Sequence, residues 1–240
     1  MLVRFARAAL VVFALTGAAH ADDLADFNAA AEAVAAQNRV AIGYLRTGNT
    51  DLAAIAFDKT RAAWGEFSKR FSGRRPDLFK DNTYYVVAVT DISTRLVTAD
   101  MMLNAGRAEI AQQALIAVRD DFYKLRKSAG IVVLADCIYD ANTAMDALMA
   151  YNDDTLDLSK PEVTTDIMGK TAAYTALLGN CDGLAGDPVR NEPEFRRLID
   201  GAKASLALIP KAVATNDAGL LHRVLIELRS FDNLLAFRFG

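Results

Sequence analysis

The feature that most constrains this chain is where its helix-stopping residues fall among its apolar ones. Apolar residues recur three and four places apart in runs of about twenty, which lays them along one face of an α-helix, whereas a spacing of two would build a strand. The runs stop at Gly48-Asn49, Gly106, Gly130 and Asn216-Asp217. Glycine and asparagine tolerate the left-handed backbone that closes a helix at its C-terminal end, so these positions read as stops. The pattern predicts helices over about 24–46, 51–71 and 82–104, a fourth ending near 128, then 132–151, 163–183, 194–213 and 218–237. The stretches YYVVAV and IVVL are β-branched enough for a strand, but both run into helical periodicity and are read as helix. The segment NDDTLDLSKPE is the longest loop, with Pro161 near a helix start. The expected fold class is all-α, built of antiparallel helical hairpins.

The stops align with one another. With Gly48, Gly106 and Asn216 set level, the fourth positions on are Leu52, Ile110 and Leu220, and the ninth are Phe57, Leu115 and Leu225. The thirteenth is arginine each time (Arg61, Arg119 and Arg229), followed within three residues by Trp64, Phe122 or Phe231. Mirrored about each stop, Arg61 falls near Glu32, Arg119 near Asp91 and Arg229 near Asp200. These are read as structural ion pairs that hold hairpin register; a row of guanidinium groups binding an anion is the functional alternative. A hairpin cannot bury its apolar face alone, so hairpins must pack together. Two arrangements satisfy this: four-helix units at 22–129 and 130–240, or one short helical stack.

Residues 1–21, MLVRFARAALVVFALTGAAHA, have the order of a secretory signal peptide. Arg4 and Arg7 precede a short apolar run, and Ala19-His20-Ala21 is a small-x-small cleavage site. Cleavage leaves 25 basic against 30 acidic side chains, a net of -5. That balance gives no support for nucleic-acid binding. No later stretch approaches the ~18 uncharged apolar residues of a membrane-spanning helix. The expected location is periplasmic or secreted.

Cys137 and Cys181 average to position 159, inside the long loop, so they sit level across one hairpin. Export permits disulfides, and a structural Cys137–Cys181 bridge is expected. It is placed in the hairpin that lacks the recurring arginine.

Recognised catalytic and cofactor motifs are absent from the sequence: no HExxH, CxxCH, GxSxG or phosphate-cradling glycine loop. After cleavage only His222 remains, and it is read as a core-edge side chain. Met101, Met102, Met145, Met149 and Met168 offer soft sulfur, but methionines at helical spacing usually fill a core. Asp153, Asp154 and Asp157 lack the spacing of a calcium loop and are read as solvated cap residues. No cofactor or metal is expected.

Three runs carry a family resemblance: MLNAGRAEIAQQALIAVRDDFYKLRK, EFRRLIDGAKASLALIPKAV and ATNDAGLLHRVLIELRSFDNLLAFRFG. They resemble helices of the soluble periplasmic four-helix cytochromes of the b and c-prime type. The resemblance implies up-down helical bundles in an exported protein. The family's last helix carries a haem-ligating His near its end; the matching positions here hold Lys124-Leu125-Arg126 and Leu235-Ala236-Phe237. The architecture is therefore expected and the haem is not.

The leading expectation is an exported, haem-free helical binding or assembly module, acting on a protein or small ligand in the periplasm. The alternatives are a haem- or metal-binding electron-transfer protein using His222 and a nearby Met, and an enzyme using an Arg–carboxylate pair as acid and base.

Overall fold

A computed structural model describes the backbone from residue 12 and the side chains from residue 23, through Gly240. Of the expected leader, residues 1–11 lie outside the described part. Among the described residues the regular elements are all helical. They are α1 (Val12–Arg46), α2 (Thr50–Phe71), a 3-10 turn (Asp77–Phe79), α3 (Tyr84–Asn104), α4 (Ala108–Ser128), α5 (Leu134–Met149), α6 (Pro161–Leu184), the short α7 (Asp187–Arg190), α8 (Pro193–Leu206), α9 (Ile209–Ala214) and α10 (Ala218–Phe239). The chain divides into two compact units, the first ending at Ile131 and the second Val132–Gly240.

One local device ends four of these helices. Gly48, Gly106, Gly130 and Asn216 all have positive φ, between 50° and 75°. At each, the residue's own N–H donates to the carbonyl three back, and the next N–H donates to the carbonyl five back: Asn49 to Tyr44 at 2.8 Å, Arg107 to Met102 at 2.7 Å, Ile131 to Arg126 at 3.0 Å, Asp217 to Ala212 at 2.9 Å. This closure satisfies carbonyls that a helix end would otherwise leave unpaired. At three of the four, the following residue (Asn49, Arg107, Asp217) already caps the next helix. Asp217 does so with its side chain, accepting from the Leu220 N–H at 2.7 Å. The turns are therefore as short as a helical hairpin allows.

Two expected helices differ. IVVL is not helical at its start: Val133 is extended, with φ -116° and ψ 170°, and α5 begins at Leu134. Here the β-branched preference wins, because the Gly130 turn has already ended α4. The single helix expected over 194–213 is broken after Leu206 and resumes at Ile209. Pro210 has no N–H to give and disfavours helical backbone before it, so the break falls just upstream. YYVVAV, by contrast, is helical within α3.

In the first unit α1 packs along α2 and against α4, α3 packs along α4, and α2 touches α3. Its core is aromatic. Phe27 of α1 meets Phe67 edge-on at 5.4 Å and Phe71 at 5.5 Å, while Phe122 of α4 meets Phe67 at 5.8 Å. The 3-10 turn drives Phe79 into the same cluster, 4.9 Å from Phe27. Tyr85 donates its hydroxyl to the Phe71 carbonyl at 2.9 Å, closing the 72–83 segment onto the core. Each such buried side chain contributes about 1.5–3 kcal/mol. The positions aligned nine places past the stops, Phe57, Leu115 and Leu225, are all buried.

In the second unit α5 packs on α6 and α10, α10 on α8 and α9, and α6 on α8 and α9. Its core runs through Met145, Leu148, Ile167, Tyr174, Leu198 and Leu228. Phe195 and Phe239 close it edge-on at 5.1 Å. No helix among the described residues is long and apolar enough to cross a membrane.

Candidate functional site

Cys137, one turn into α5, and Cys181, near the end of α6, are joined in a disulfide with Cα atoms 5.4 Å apart. Both are buried, so the bridge is a clamp inside the second unit's core.

Two of the three expected ion pairs are made with other partners. Glu32 pairs with Arg39 at 2.6 Å, two turns along its own helix, and not with Arg61. Arg61 reaches Asp100 of α3 at 3.1 Å and Asp58 at 3.7 Å. Arg229 bonds Asp146 of α5 at 2.6 Å and Asp232 at 3.2 Å, and Asp200 lies near Arg196 instead, at 3.7 Å. The reason is rotational. Mirrored sequence depth sets height along a hairpin but not which side of the helix an arginine leaves from. Arg61 and Arg229 both leave toward the neighbouring hairpin of their own unit. Arg119 is half-buried on α4; on α3, burial, then Asp121 and Asp91, raises the pKa of the Tyr84 hydroxyl. The Arg119–Asp91 pairing remains a proposal.

Three polar clusters went unread in the sequence. Asp232 lies within the apolar face of α10, 1% exposed. It accepts from Asn142 Nδ2 of α5 at 2.5 Å, from Arg229 at 3.2 Å and from the Tyr174 hydroxyl of α6 at 3.5 Å. Burial, then the Asp232 charge, pushes the Tyr174 hydroxyl far above its ordinary value. That arrangement ties three helices together through one carboxylate. Its signal was a charge in apolar register, between Leu228 and Leu235.

Asp121 of α4 is the first unit's equivalent, buried and accepting from Arg95 of α3 at 3.3 Å. Burial raises its pKa despite the opposing pull of Arg95. Asp182, beside Cys181, works the other way. Burial pushes it up, but hydrogen bonds from Lys203 at 2.9 Å and Arg196 at 2.5 Å outweigh that and hold it below the ordinary carboxylate value. Each cluster is closed by partners of its own unit and joins helices.

The residues considered for metal or haem chemistry are dispersed. Met145 is buried in the core, and Met101 stands exposed on α3. The His222 ring on α10 keeps Nδ1 buried with no hydrogen-bond partner among the described residues. Asp153 and Asp157 each accept from the N–H and hydroxyl of the residue two on, Thr155 and Ser159, which turns the long loop and lowers both carboxyl pKa values. No group of three or more His, Cys, Asp or Glu suited to a metal ion occurs among the described residues.

The remaining feature is a surface. α3 buries Ala88, Ile92, Leu96 and Ala99, and on the opposite side exposes Val86, Val87, Val97 and Met101, each about half exposed or more. Thr90 and Thr94 lie in the same stripe. Thr94 donates its hydroxyl to the Thr90 carbonyl at 3.0 Å, and Thr98 to the Thr94 carbonyl at 2.9 Å, so the Thr94 and Thr98 hydroxyls are spent on the helix itself. The charges of α3, Asp91, Arg95 and Asp100, lie off the stripe by helical rotation. The result is a four-turn face without charge on the outside of a water-facing helix.

No family model matches the chain, and comparison with curated proteins and with solved structures finds no match.

Proposed function

We propose that this is an exported helical binding or assembly module, two four-helix bundles in tandem, whose working surface is the outer face of α3. The observation that carries it is that face: free of charge over four turns, with Val86, Val87, Val97 and Met101 exposed opposite the side α3 buries. Exposed apolar stripes of this extent mark interaction sites more often than chance. The polar clusters support a binding role, since their partners are drawn into holding helices together.

Export rests on the leader-like residues 1–21 and is supported by the buried disulfide, which belongs to oxidising compartments. The resemblance to periplasmic cytochromes is kept for architecture. Where it would seat a haem-ligating His, Leu125 and Leu235 are core side chains, which supports a haem-free reading.

The test places a photo-crosslinking amino acid at Val97, and separately at the exposed Lys59, in cells making the full chain. An adduct from position 97 and none from position 59 is the expected result, on protein whose intact mass starts at Asp22. The absence of any adduct at 97 overturns the binding role; retention of residues 1–21 overturns export.

A further inference from the structure

We infer that the α3 face binds a second copy of this chain, its α3 running antiparallel, to give a two-fold dimer; this rests on the reading of that face as the working surface. A two-fold interface places the same patch on both sides, so the patch must complement itself when reversed. The α3 stripe does. Reversed about a point between Ser93 and Thr94, Val86 falls level with Met101 of the second copy, and Thr90 with Val97. Val86 thus meets Met101 at each end and a threonine methyl meets valine nearer the middle, while Val87 comes level with Asp100 of the second copy, which lies on the other flank.

The charges obey the same reversal. In an antiparallel two-fold pair, residues on one flank of a helix face the same flank of its mate. Asp91 and Arg95 lie on one flank, one turn apart, and on reversal Asp91 comes within one residue of level with Arg95 of the second copy. Two opposite-charge contacts therefore form, one each side of the axis. Arg95 holds Asp121 through Nε while its side chain stays 45% exposed. Asp100, on the other flank, is committed to Arg61 and its symmetry mate lies far along the helix; the two Arg95 come within three residues of level on the shared flank, each nearer to the second copy's Asp91 than to the other arginine. Charge complementarity of this kind fixes register and orientation.

The stripe from Val86 to Met101 is about 22 Å long at 1.5 Å per residue. One helix face falls short of the about 800 Å² per partner of a stable interface. The dimer is therefore concentration-dependent, forming and dissolving at ordinary protein concentrations.

Sedimentation equilibrium of the full mature chain over a wide concentration range tests it. The expected result is a monomer–dimer equilibrium, abolished by Val97→Asp, a surface change checked for unchanged helicity. Thr94→Cys, next to the axis, should give a covalent dimer under mild oxidation, while Asn104→Cys should not. A monomer at every concentration overturns the inference, as does a dimer that survives Val97→Asp. An adduct at Val97 with a different protein, together with monomeric behaviour, overturns the second copy and leaves the binding module standing. No adduct with any protein removes both.

Discussion

Asn142 on α5 donates to Asp232 on α10 at 2.5 Å, and the carboxylate that receives it is shut away from solvent. Asp232 accepts from Asn142, Tyr174 and Arg229 on three helices, and its removal leaves the Asn142 and Tyr174 donors without it. Asp232→Ala should destabilise the second unit by about 3 kcal/mol, the scale for breaking a buried charged contact from one side. Combined with Asn142→Ala, the loss should be smaller than the sum of the two. Urea titrations of the four proteins check it; strict additivity would remove the network.

The aligned arginines should not behave alike. Arg61 and its partner Asp100 are half exposed, whereas Arg229 keeps 23% of its side chain exposed and bonds a buried carboxylate. Arg61→Ala should cost under about 1 kcal/mol. Arg229→Ala should cost clearly more in the same denaturant assay. Equal losses would show that burial of the partner does not decide the matter.

The Cys137–Cys181 bridge closes roughly 43 residues and should contribute about 2–4 kcal/mol to the second unit. Replacing both cysteines with serine should lower the melting temperature of that unit and leave the first unit's transition in place. Thiol titration of the unfolded, unreduced protein should find none; two titratable thiols would refute the bridge.

Acid should act through Asp182. Its folded pKa lies below its ordinary 3.8, so its stabilisation is present above that value and is lost as the pH falls through the lowered one. Asp121 is raised above 3.8, so its contribution is full below that value and is lost as the pH rises through the raised one. Stability measured against pH should therefore fall less steeply below about pH 4 in Asp182→Asn. In Asp121→Asn the fall should be steeper than in the native chain, because a group that gains on acidification has been removed. Identical curves for all three would show that neither carboxylate is coupled to folding.

Gly201 of α8 lets α10 come close: a β-carbon there would stand 2.7 Å from Cζ of Phe231. The ring can swing, so alanine should be tolerated at modest cost. Gly201→Val should cost about 1–3 kcal/mol, as overpacking does. Denaturant midpoints of the three proteins check it, and a neutral valine would mean the helices separate freely.

What could be read from the sequence was local. The left-handed stops at Gly48, Gly106, Gly130 and Asn216 need no tertiary information, because the conformation belongs to the residue. Cys137 and Cys181 were legible for a related reason: equal height across a hairpin is enough when both side chains are short and point to the seam. Arg61 and Arg229 were misread because height is not rotation, and a long side chain finds whichever carboxylate lies on its own side. Arg61 therefore reaches α3 and not α1. Asp232 and Asp121 were visible as charges within apolar stripes but were passed over. The break before Ile209 was announced by Pro210, and the continuous helical pattern around it concealed the break.

The order of residues along the chain gives the disulfide one more consequence. All of the first unit, through Ile131, precedes either cysteine along the chain and so crosses first, and Cys181 follows Cys137 by 44 residues. The first unit can therefore complete its core with no oxidant at hand. Only the second waits on electron removal, and then only once most of α6 has emerged. A cell starved of oxidising power would accumulate chains mature at the front and unfinished at the back. The boundary between those halves would show itself to a protease as a single early cut.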